Sequence, residues 1–521
     1  MENMIENPLL KGFYPDPSIC RAGDDYYMVT SSFSFFPGIP VFHSKDLKHW
    51  EQVGHVIDRP EQMTFSCRDI SGGLYAPTIR FHEGIFYVIC TNVTNIGDFV
   101  CTAKDPAGAW SEPHIIKGAR GIDPSLFWDE DGTCYMCGNA GIDKPGQDFG
   151  IWCARFDTEK FAIDEPHWLW AGALIAAHAP EAPHIYKKNG WYYLMIAEGG
   201  TEEYHAVTIA RSRDIFGPYT GFRGNPILTH RHLGLDYPIA NTGHGDLFET
   251  QKGEWYMVLL ASRLCAGHKV LGRETFIVPV DFSGEWPVVN KGVGKVEFLC
   301  PDAGLPECPY DEPDGNDFHA LCWNCLGTPD NQPVRILDAH TLTIRCIDTP
   351  VLPCRGENPD YAAHALGFYG RRQQHMSFDA GVKVAPPMDE RAVCGLGVMQ
   401  SNHSWLRVEL VKKKDGMLAR LIRSRVPEEN AAHRYDWQEI RCDVLAEKEF
   451  EGEEALLSIH DEMNDYAFFV NGTPLGHADG GFLGSDISMG FIGAYVALFA
   501  SGNGQDTGLE ARFTDFSYRG I

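Results

Sequence analysis

The first 300 residues contain a short apolar run that opens with a turn and recurs five times. Each copy begins with Gly, Asp or Asn and continues into aromatic and β-branched residues, as in GDDYYMVTSS, EGIFYVICTN and NGWYYLMIAE. A tyrosine holds the same place in every copy: Tyr27, Tyr87, Tyr135, Tyr193 and Tyr256. Such runs are typical of antiparallel strands. Repeats of this length, each with room for several short strands, predict a five-bladed β-propeller over residues 1–300.

The chain after the propeller has a different pattern. A stretch rich in Pro, Gly and Asp predicts a surface linker over residues 301–325. Residues 326–521 contain alternating apolar and polar runs, such as WLRVELVKK and YAFFVNGTPLG, with a hairpin turn at Asn471-Gly472. This predicts an antiparallel, jelly-roll-like β-sandwich, so the fold class is all-β. The sandwich is either an independent sugar-binding module or an accessory domain that lends a loop to the propeller.

Charge and composition narrow the choice of ligand. The chain has 521 residues and a formal net charge of −27. Nucleic acid and anionic membranes are bound by clustered positive charge, so we expect neither as a partner. The start, MENMIENPLLKG, lacks a basic segment followed by an apolar one, and no apolar run is long enough to span a bilayer. We therefore expect a cytoplasmic protein whose 16 cysteines are free thiols.

Polar residues lie at matching places in the repeats. The residues 11 or 12 positions before the repeat tyrosines are Asp16, Ala76, Asp123, Glu181 and His244. Equivalent positions of a propeller converge on its axis, so two aspartates, one glutamate and one histidine are predicted to meet there. Each residue alone has an ordinary structural explanation, such as a turn or a core histidine. Together they predict a functional site, because three carboxylates in a narrow channel repel one another.

Hydrolysis of an acetal needs such a set. One carboxylic acid protonates the leaving oxygen, and one carboxylate either activates water or attacks directly. A third can keep the pKa of the acid high. A closed pocket favours a chain-end substrate, and aromatic residues suit the apolar faces of sugar rings. The run SSFSFFPG (Phe33, Phe35, Phe36) and Tyr75 are therefore candidates for the entrance, with ordinary blade core as the alternative.

These motifs, with PEAPHIYK, EGGTEEYHAVTIARS, TGHGDLF and LGRETF, resemble glycoside hydrolase family 43. That family contains five-bladed inverting β-xylosidases and α-L-arabinofuranosidases, and the resemblance covers nearly the whole chain. It implies that Asp16 is the general base, Glu181 the general acid, and Asp123 the residue that tunes and orients the acid.

The resemblance also implies roles for other residues. Arg273 matches an arginine that contacts the sugar and the carboxylates, and Phe33 and Tyr75 match positions beside the terminal sugar. His244 matches a histidine that in some members binds a water-coordinated cation, commonly calcium, although the chemistry needs no cofactor. Xylosidases of the family usually have tryptophan in place of Tyr75, which leaves the identity of the sugar open.

The leading hypothesis is an exo-acting inverting hydrolase that releases α-L-arabinofuranose or β-D-xylose from hemicellulose-derived oligosaccharides. Two alternatives are a non-catalytic sugar-binding propeller and a retaining enzyme, whose two main carboxyl groups would lie closer together. The sequence predicts no oligomeric state.

Overall fold

The fold is described from a computed structural model of the chain. It covers residues 4–65, 70–144, 147–174, 178–310, 314–327, 333–348, 366–401, 403–414, 416–426 and 440–521. The helices among these residues are two 3-10 turns and one short α-helix, namely Pro60–Gln62, Gly481–Leu483 and Ser485–Ser488. All remaining regular structure is β, as predicted.

The first three blades are antiparallel sheets, each beginning with its inner strand. The strands of blade 1 are Ser18–Ala22, Asp25–Val29, Gly38–Ser44 and Glu51–Ile57. The strands of blade 2 are Leu74–His82, Ile85–Asn92, Gly97–Ala103 and His114–Ile115. The strands of blade 3 are Ile122–Trp128, Cys134–Lys144, Gln147–Asp157, Ala162–Ile163 and His167–Trp170. The repeat tyrosines lie in the second strand of each blade, where the sequence predicts them.

Blades 4 and 5 complete the propeller. The strands of blade 4 are Glu181–Lys188, Trp191–Glu198, Ala206–Ser212 and Thr220–Gly221. The strands of blade 5 are Ile239–Glu249, Trp255–Arg263, Glu274–Asp281 and Val288–Val289. The inner strands contact one another in chain order, and the fifth contacts the first. The predicted five-bladed propeller is therefore confirmed.

The two ends of the propeller segment are tied together. Strand Met4–Glu6 pairs with strand Leu299–Pro301. Asn7 donates from Nδ2 to the Ile277 carbonyl at 2.8 Å and accepts the Ile277 N–H at 2.9 Å. The start of the chain thus closes the ring onto blade 5.

A buried polar network joins four blades near the axis. Arg80 of blade 2 donates two hydrogen bonds to Asp246 of blade 5, at 2.8 and 3.1 Å. Ser18 of blade 1 and Tyr186 of blade 4 also donate to Asp246, at 2.7 and 2.8 Å. His184 of blade 4 lies 3.0 Å from Arg80. The Asp246 carboxylate is fully buried and serves as the common acceptor.

The C-terminal domain is a two-sheet antiparallel sandwich, as predicted. The strands of its eight-stranded sheet, in spatial order, are Arg441–Phe450, Gly416–Arg425, Ser404–Lys413, Val393–Ser401, Tyr495–Ser501, Phe368–Arg372, Trp323–Leu326 and Phe35–Phe36. The strands of its seven-stranded sheet are Val334–Asp338, Thr341–Arg345, Glu510–Gly520, Ser377–Ala385, Ala455–Glu462, Asp465–Val470 and Thr473–Asp479. One large apolar core lies between the two sheets.

The domains share a strand. Phe35–Phe36, which belongs to the propeller in sequence, pairs with Trp323–Leu326 at the edge of the eight-stranded sheet. The Phe35 ring stacks on Tyr495 with centroids 4.1 Å apart. The Phe35 side chain therefore lies in the domain interface, whereas the Phe36 side chain lies in the core of blades 1 and 2, the alternative given for this run. Neither ring lines the entrance predicted for it. Strand Trp323–Leu326 also begins inside the predicted linker, 301–325, so the sandwich starts earlier than the composition indicates.

The 14 cysteines that the structure describes are all free thiols. Cys134 and Cys137 occupy different core clusters on opposite sides of their strand. No helix in the described part of the chain is long and apolar enough to cross a membrane.

Candidate active site

The predicted axial residues lie at a shared irregularity of the inner strands. Five residues there have left-handed backbone conformations, with φ values of 54°, 36°, 55°, 50° and 50° for Asp16, Ala76, Asp123, Ala182 and His244. In blades 2 to 5 the pairing register shifts at the same point. Left-handed conformations are costly for residues other than glycine and concentrate at functional sites.

This irregularity corrects the predicted equivalence in blade 4. The residue that matches Asp16 and Asp123 is Ala182, because both its positive φ and the following proline recur. Glu181 lies one position earlier, where it pairs with Ala197. Counting back from the repeat tyrosine misses this because the turn between the first and second strands is one residue longer in blades 3 and 5 than in blades 1, 2 and 4. Glu181 nevertheless lies close enough to Asp123 and Asp16 to interact with their charges.

Asp16 is buried among cationic and hydroxyl groups. Arg273 donates from Nη1 to its Oδ1 at 2.7 Å, and Ser31 donates to its Oδ2 at 2.6 Å. His244 Nδ1 lies 3.7 Å from Asp16 Oδ1. Burial raises the pKa of Asp16, but Arg273, His244 and Ser31 outweigh burial and leave the pKa below its usual value. Asp16 is therefore held as a carboxylate.

Glu181 has the opposite electrostatic environment. Burial raises its pKa, and the negative charges of Asp123 and Asp16 raise it further, so that the pKa lies well above its usual value. Asp123 is also buried, and its Oδ2 accepts the Ala182 backbone N–H at 3.1 Å. Because Ala182 follows Glu181 directly, Asp123 fixes the backbone that carries Glu181 as well as raising its pKa. Glu181 is therefore held as the neutral acid.

Arg273 connects Asp16 to both domains. Its Nη1 also donates to Thr201 of blade 4 at 3.2 Å, and its Nη2 donates to the Phe491 carbonyl of the sandwich at 3.3 Å. Thr201 lies in the quoted EGGTEEYH motif but was not singled out from the sequence. Phe491 gave no sequence signal, since it is separated from Arg273 by 218 residues.

Two aromatic rings lie beside Arg273, and a third packs against them. The guanidinium carbon of Arg273 lies 5.8 Å from the ring centroid of Phe33 and 5.6 Å from that of Phe491. The ring of Phe33 is buried, and its centroid lies 5.1 Å from that of Tyr75 and 6.1 Å from that of Phe491. Tyr75 donates its hydroxyl to the Ser71 carbonyl at 2.6 Å, and the Phe491 N–H donates to Ser71 Oγ at 3.3 Å. The structure thus places the predicted Phe33 and Tyr75 together and adds a third ring from the sandwich. Of the two roles left open for the sandwich, packing on the propeller and lending it a loop is the one observed.

His244 lies beside Asp16, in the position predicted for a cation ligand. Its side chain is buried, and Asp123 is also near enough to interact with it electrostatically. Across the part of the chain that the structure describes, no three His, Cys, Asp or Glu side chains are grouped to hold a metal ion. A cation here would have His244 as its protein ligand and water for its remaining ligands.

The site therefore brings together a buried carboxylate and a partly buried neutral acid near aromatic rings. Such a pair can give a proton to one oxygen and remove a proton from another at the same pH. This chemistry suits hydrolysis of an acetal bond.

Comparison with known proteins agrees with this class of site. Residues 5–287 match the family described as glycosyl hydrolases family 43, and residues 315–519 match the β-xylosidase C-terminal concanavalin A-like domain. The chain therefore belongs to glycosyl hydrolase family 43, as the sequence resemblance implied, and is a glycoside hydrolase.

Two relatives are similar to this chain over nearly their whole length. The chain is 39% identical to a xylosidase/arabinosidase of Butyrivibrio fibrisolvens, covering 99% of this chain and 98% of the relative. It is 34% identical to a non-reducing end α-L-arabinofuranosidase of Bacteroides ovatus, covering 99% and 95%. These matches support an enzyme and give no support to the non-catalytic alternative.

Solved structures show the same architecture. A family 43 protein from a Bacteroides ovatus xyloglucan locus superposes with a TM-score of 0.87 at 32% identity, covering 99% of this chain and 100% of the other. A xylan β-1,4-xylosidase of Bacillus halodurans superposes with a TM-score of 0.86 at 29% identity and the same coverage.

Proposed function

We propose that the protein is an exo-acting, inverting pentosidase that releases terminal α-L-arabinofuranose, β-D-xylose or both from hemicellulose-derived oligosaccharides. The observation that carries this proposal is the opposite electrostatic bias on Asp16 and Glu181. In this proposal Asp16 acts as general base and Glu181 as general acid, and their opposite pKa shifts support these roles. Asp123 sets the pKa and orientation of Glu181.

The proposed reaction takes one step. Asp16 removes a proton from water while the water oxygen forms a bond to the anomeric carbon. The glycosidic bond breaks on the opposite face, and the leaving oxygen takes the proton of Glu181. Arg273, held by Asp16, Thr201 and Phe491, positions the sugar.

The pentose assignment rests on the relatives and on the pocket wall. One relative is named for both xylosidase and arabinosidase activity, and another for arabinofuranosidase activity. Tyr75 and Phe491 are only partly buried and offer apolar ring surface to one terminal sugar, while the buried Phe33 packs against both of them. This arrangement supports release from a chain end. We further propose a cytoplasmic location, where the substrates would be imported oligosaccharides.

We also propose that His244 can bind a water-coordinated cation such as calcium. The neighbouring Asp16 carboxylate would balance the positive charge. Such an ion would fix the orientation of His244 and add positive charge near Asp16. The proton transfers described above belong to Asp16 and Glu181.

The test compares Asp16→Asn and Glu181→Gln with the unaltered protein on paired aryl α-L-arabinofuranoside and aryl β-D-xyloside substrates. Loss of a positioned acid or base lowers kcat by about 10²–10⁴-fold. NMR of the first product formed identifies its anomer and therefore distinguishes inversion from retention.

Glu130→Gln is the matched control, because Glu130 is an exposed carboxyl just after the inner strand of blade 3. Near-normal hydrolysis by Asp16→Asn would remove Asp16 as the base. A first product with retained configuration would replace inversion by a two-step mechanism.

A further inference from the structure

Arg372 of the sandwich is buried against the segment that leads to Asp16. Its Nε donates to the Phe13 carbonyl at 2.6 Å, and its Nη1 donates to Asn324 Oδ1 at 2.9 Å. Its guanidinium carbon lies 4.2 Å from the centroid of the Tyr14 ring. Arg372 is 2% exposed. A side chain of the second domain therefore contacts the propeller at Phe13 and Tyr14, three and two residues before Asp16.

Among the residues that the structure describes, no Asp or Glu oxygen forms an ion pair with Arg372, and its Nη2 has no hydrogen-bond partner among them. Burying a cation without a counterion costs free energy, and an apolar side chain of similar volume is often as stable or more stable there. Stability alone therefore does not explain an arginine at this position.

The gripped segment is also held from blade 5. The Gly12 N–H donates to Glu274 Oε1 at 2.7 Å, and the Tyr14 N–H donates to the Arg273 carbonyl at 3.2 Å. Two hydrogen bonds thus join this segment to Arg273, which binds Asp16, and to the adjacent Glu274. Arg372 supplies the hydrogen bond from the opposite domain, to the carbonyl of Phe13 between those two amides.

We propose that Arg372 is a positioning residue for Asp16. Through Arg372, the sandwich fixes the position of the base that activates water. This inference rests on the proposed role of Asp16 as the base. A bound water must lie in line with the anomeric carbon, and a displacement of about 1 Å can cost 10²-fold in rate. The planar fork of arginine serves Phe13 and Asn324 together while stacking on Tyr14, which lysine cannot do.

The neighbouring Arg371 provides a matched control. It lies in the same strand, Phe368–Arg372, and is also buried. Its donors go to the Gly315 carbonyl and to Gln374, at 2.8 Å each, and its guanidinium carbon lies 4.4 Å from the Tyr518 ring. All these contacts are within the sandwich. Arg371→Met therefore disturbs the same strand without releasing Phe13.

The experiment measures kcat and KM of full-length Arg372→Met and Arg371→Met on an aryl pentoside and on the pentosyl fluoride of the preferred sugar. Fluoride leaves without an acid, so Glu181→Gln should spare the fluoride substrate and Asp16→Asn should not. We expect Arg372→Met to lower kcat about 10- to 100-fold on both substrates, with KM within about twofold. Thermal denaturation should show that it remains folded, because removal of the buried charge offsets part of the cost of leaving the Phe13 carbonyl and Asn324 Oδ1 without a donor.

Several results would overturn the inference. They are near-normal kcat in Arg372→Met, a loss that spares the fluoride, and an equal kcat loss in Arg371→Met. If Arg372→Met unfolds, Asn324→Ala, which removes the second acceptor of the fork together with the Asn324 hydrogen bond to the Pro37 carbonyl, should lower kcat in the same pattern on both substrates. A failure of the proposed function is seen separately, as near-normal hydrolysis by Asp16→Asn itself.

Discussion

Two carboxylic acids with similar intrinsic acidity have opposite protonation states in this site. Asp16 lies beside Arg273, His244 and Ser31. Glu181 is partly buried and lies near the negative charges of two aspartates. The difference comes from the neighbours of each residue and not from its type. At the residue scale the division of labour between acid and base is therefore electrostatic.

A pH profile tests this arrangement. The base must be ionised, so kcat/KM should fall as pH drops through the pKa of Asp16, which is lowered. The acid must be protonated, so kcat/KM should fall as pH rises through the pKa of Glu181, which is raised. Asp123→Asn removes one of the charges that raise the pKa of Glu181, so the alkaline limb should move to lower pH.

The profile of kcat/KM against pH on an aryl pentoside checks this shift. Glu130→Gln should leave both limbs in place, because Glu130 is exposed and pairs with Lys187. An alkaline limb that does not move in Asp123→Asn would show that Asp123 does not tune the acid.

The sequence identifies many of these residues but not their contacts. Asp16, Asp123 and His244 lie at corresponding places in a repeat, so their convergence could be predicted from spacing. Phe491 and Arg372 contact the site from far along the chain and belong to no repeat. Their placement depends on how two domains pack, which a one-dimensional pattern does not encode.

At the scale of single elements, the bulged inner strand of blade 5 depends on a glycine. A Cβ at Gly243 would lie 2.3–2.4 Å from three atoms of the His205 ring. His205 is buried and donates from Nδ1 to the Asn241 carbonyl at 2.9 Å. Burial lowers the pKa of His205 to about 3, so the ring is neutral. The strand can carry His244 here only because residue 243 has no side chain.

Gly243→Ala should therefore destabilise the protein and displace His244. Overpacking of this kind costs about 1–3 kcal/mol. The midpoint temperature of thermal denaturation and kcat/KM should both be lower than in the unaltered protein. Gly284→Ala in the same blade is the control, since its Cβ would meet nothing closer than the Trp286 carbonyl at 3.9 Å. Equal behaviour of the two variants would contradict this reading of the bulge.

Elements were predicted well where the pattern is local. Turn residues followed by an aromatic and β-branched run located the second strand of every blade. The strand Phe35–Phe36 was not predicted, because two phenylalanines suit a core, a pocket rim or an interface equally. The tyrosine count selects Glu181 and not Ala182 as the matching residue, because the turn before the second strand is one residue longer in blades 3 and 5 than in blade 4.

At the scale of the whole molecule, the network around Asp246 holds four blades together. Burial alone would raise the pKa of Asp246, but Arg80 and His184 hold it below its usual value. Removing Arg80 would leave a buried carboxylate without its main partner. Such a loss costs about 3–5 kcal/mol.

Arg80→Ala should accordingly lower the free energy of unfolding by that amount, as measured by guanidinium denaturation. Lys291→Ala in blade 5 breaks an exposed ion pair with Asp281 and should cause no measurable change. If Arg80→Ala were as stable as Lys291→Ala, the network would not be what fastens the blades.

The division into propeller and sandwich could be predicted from composition and pattern, but their mutual arrangement could not. The boundary near residue 325 was placed inside a strand because Trp323–Leu326 follows a Pro- and Gly-rich stretch without a break in composition. How the two domains pack depends on the shapes of their folded surfaces, which short stretches of sequence do not encode.

The shared strand at Phe35–Phe36 limits how this protein could have been assembled. A propeller recombined with an unrelated sandwich would lose the partner of that strand, the ring at Phe491 and the grip of Arg372 at once. The two domains are therefore expected to be inherited and exchanged together, as a pair and not as interchangeable modules.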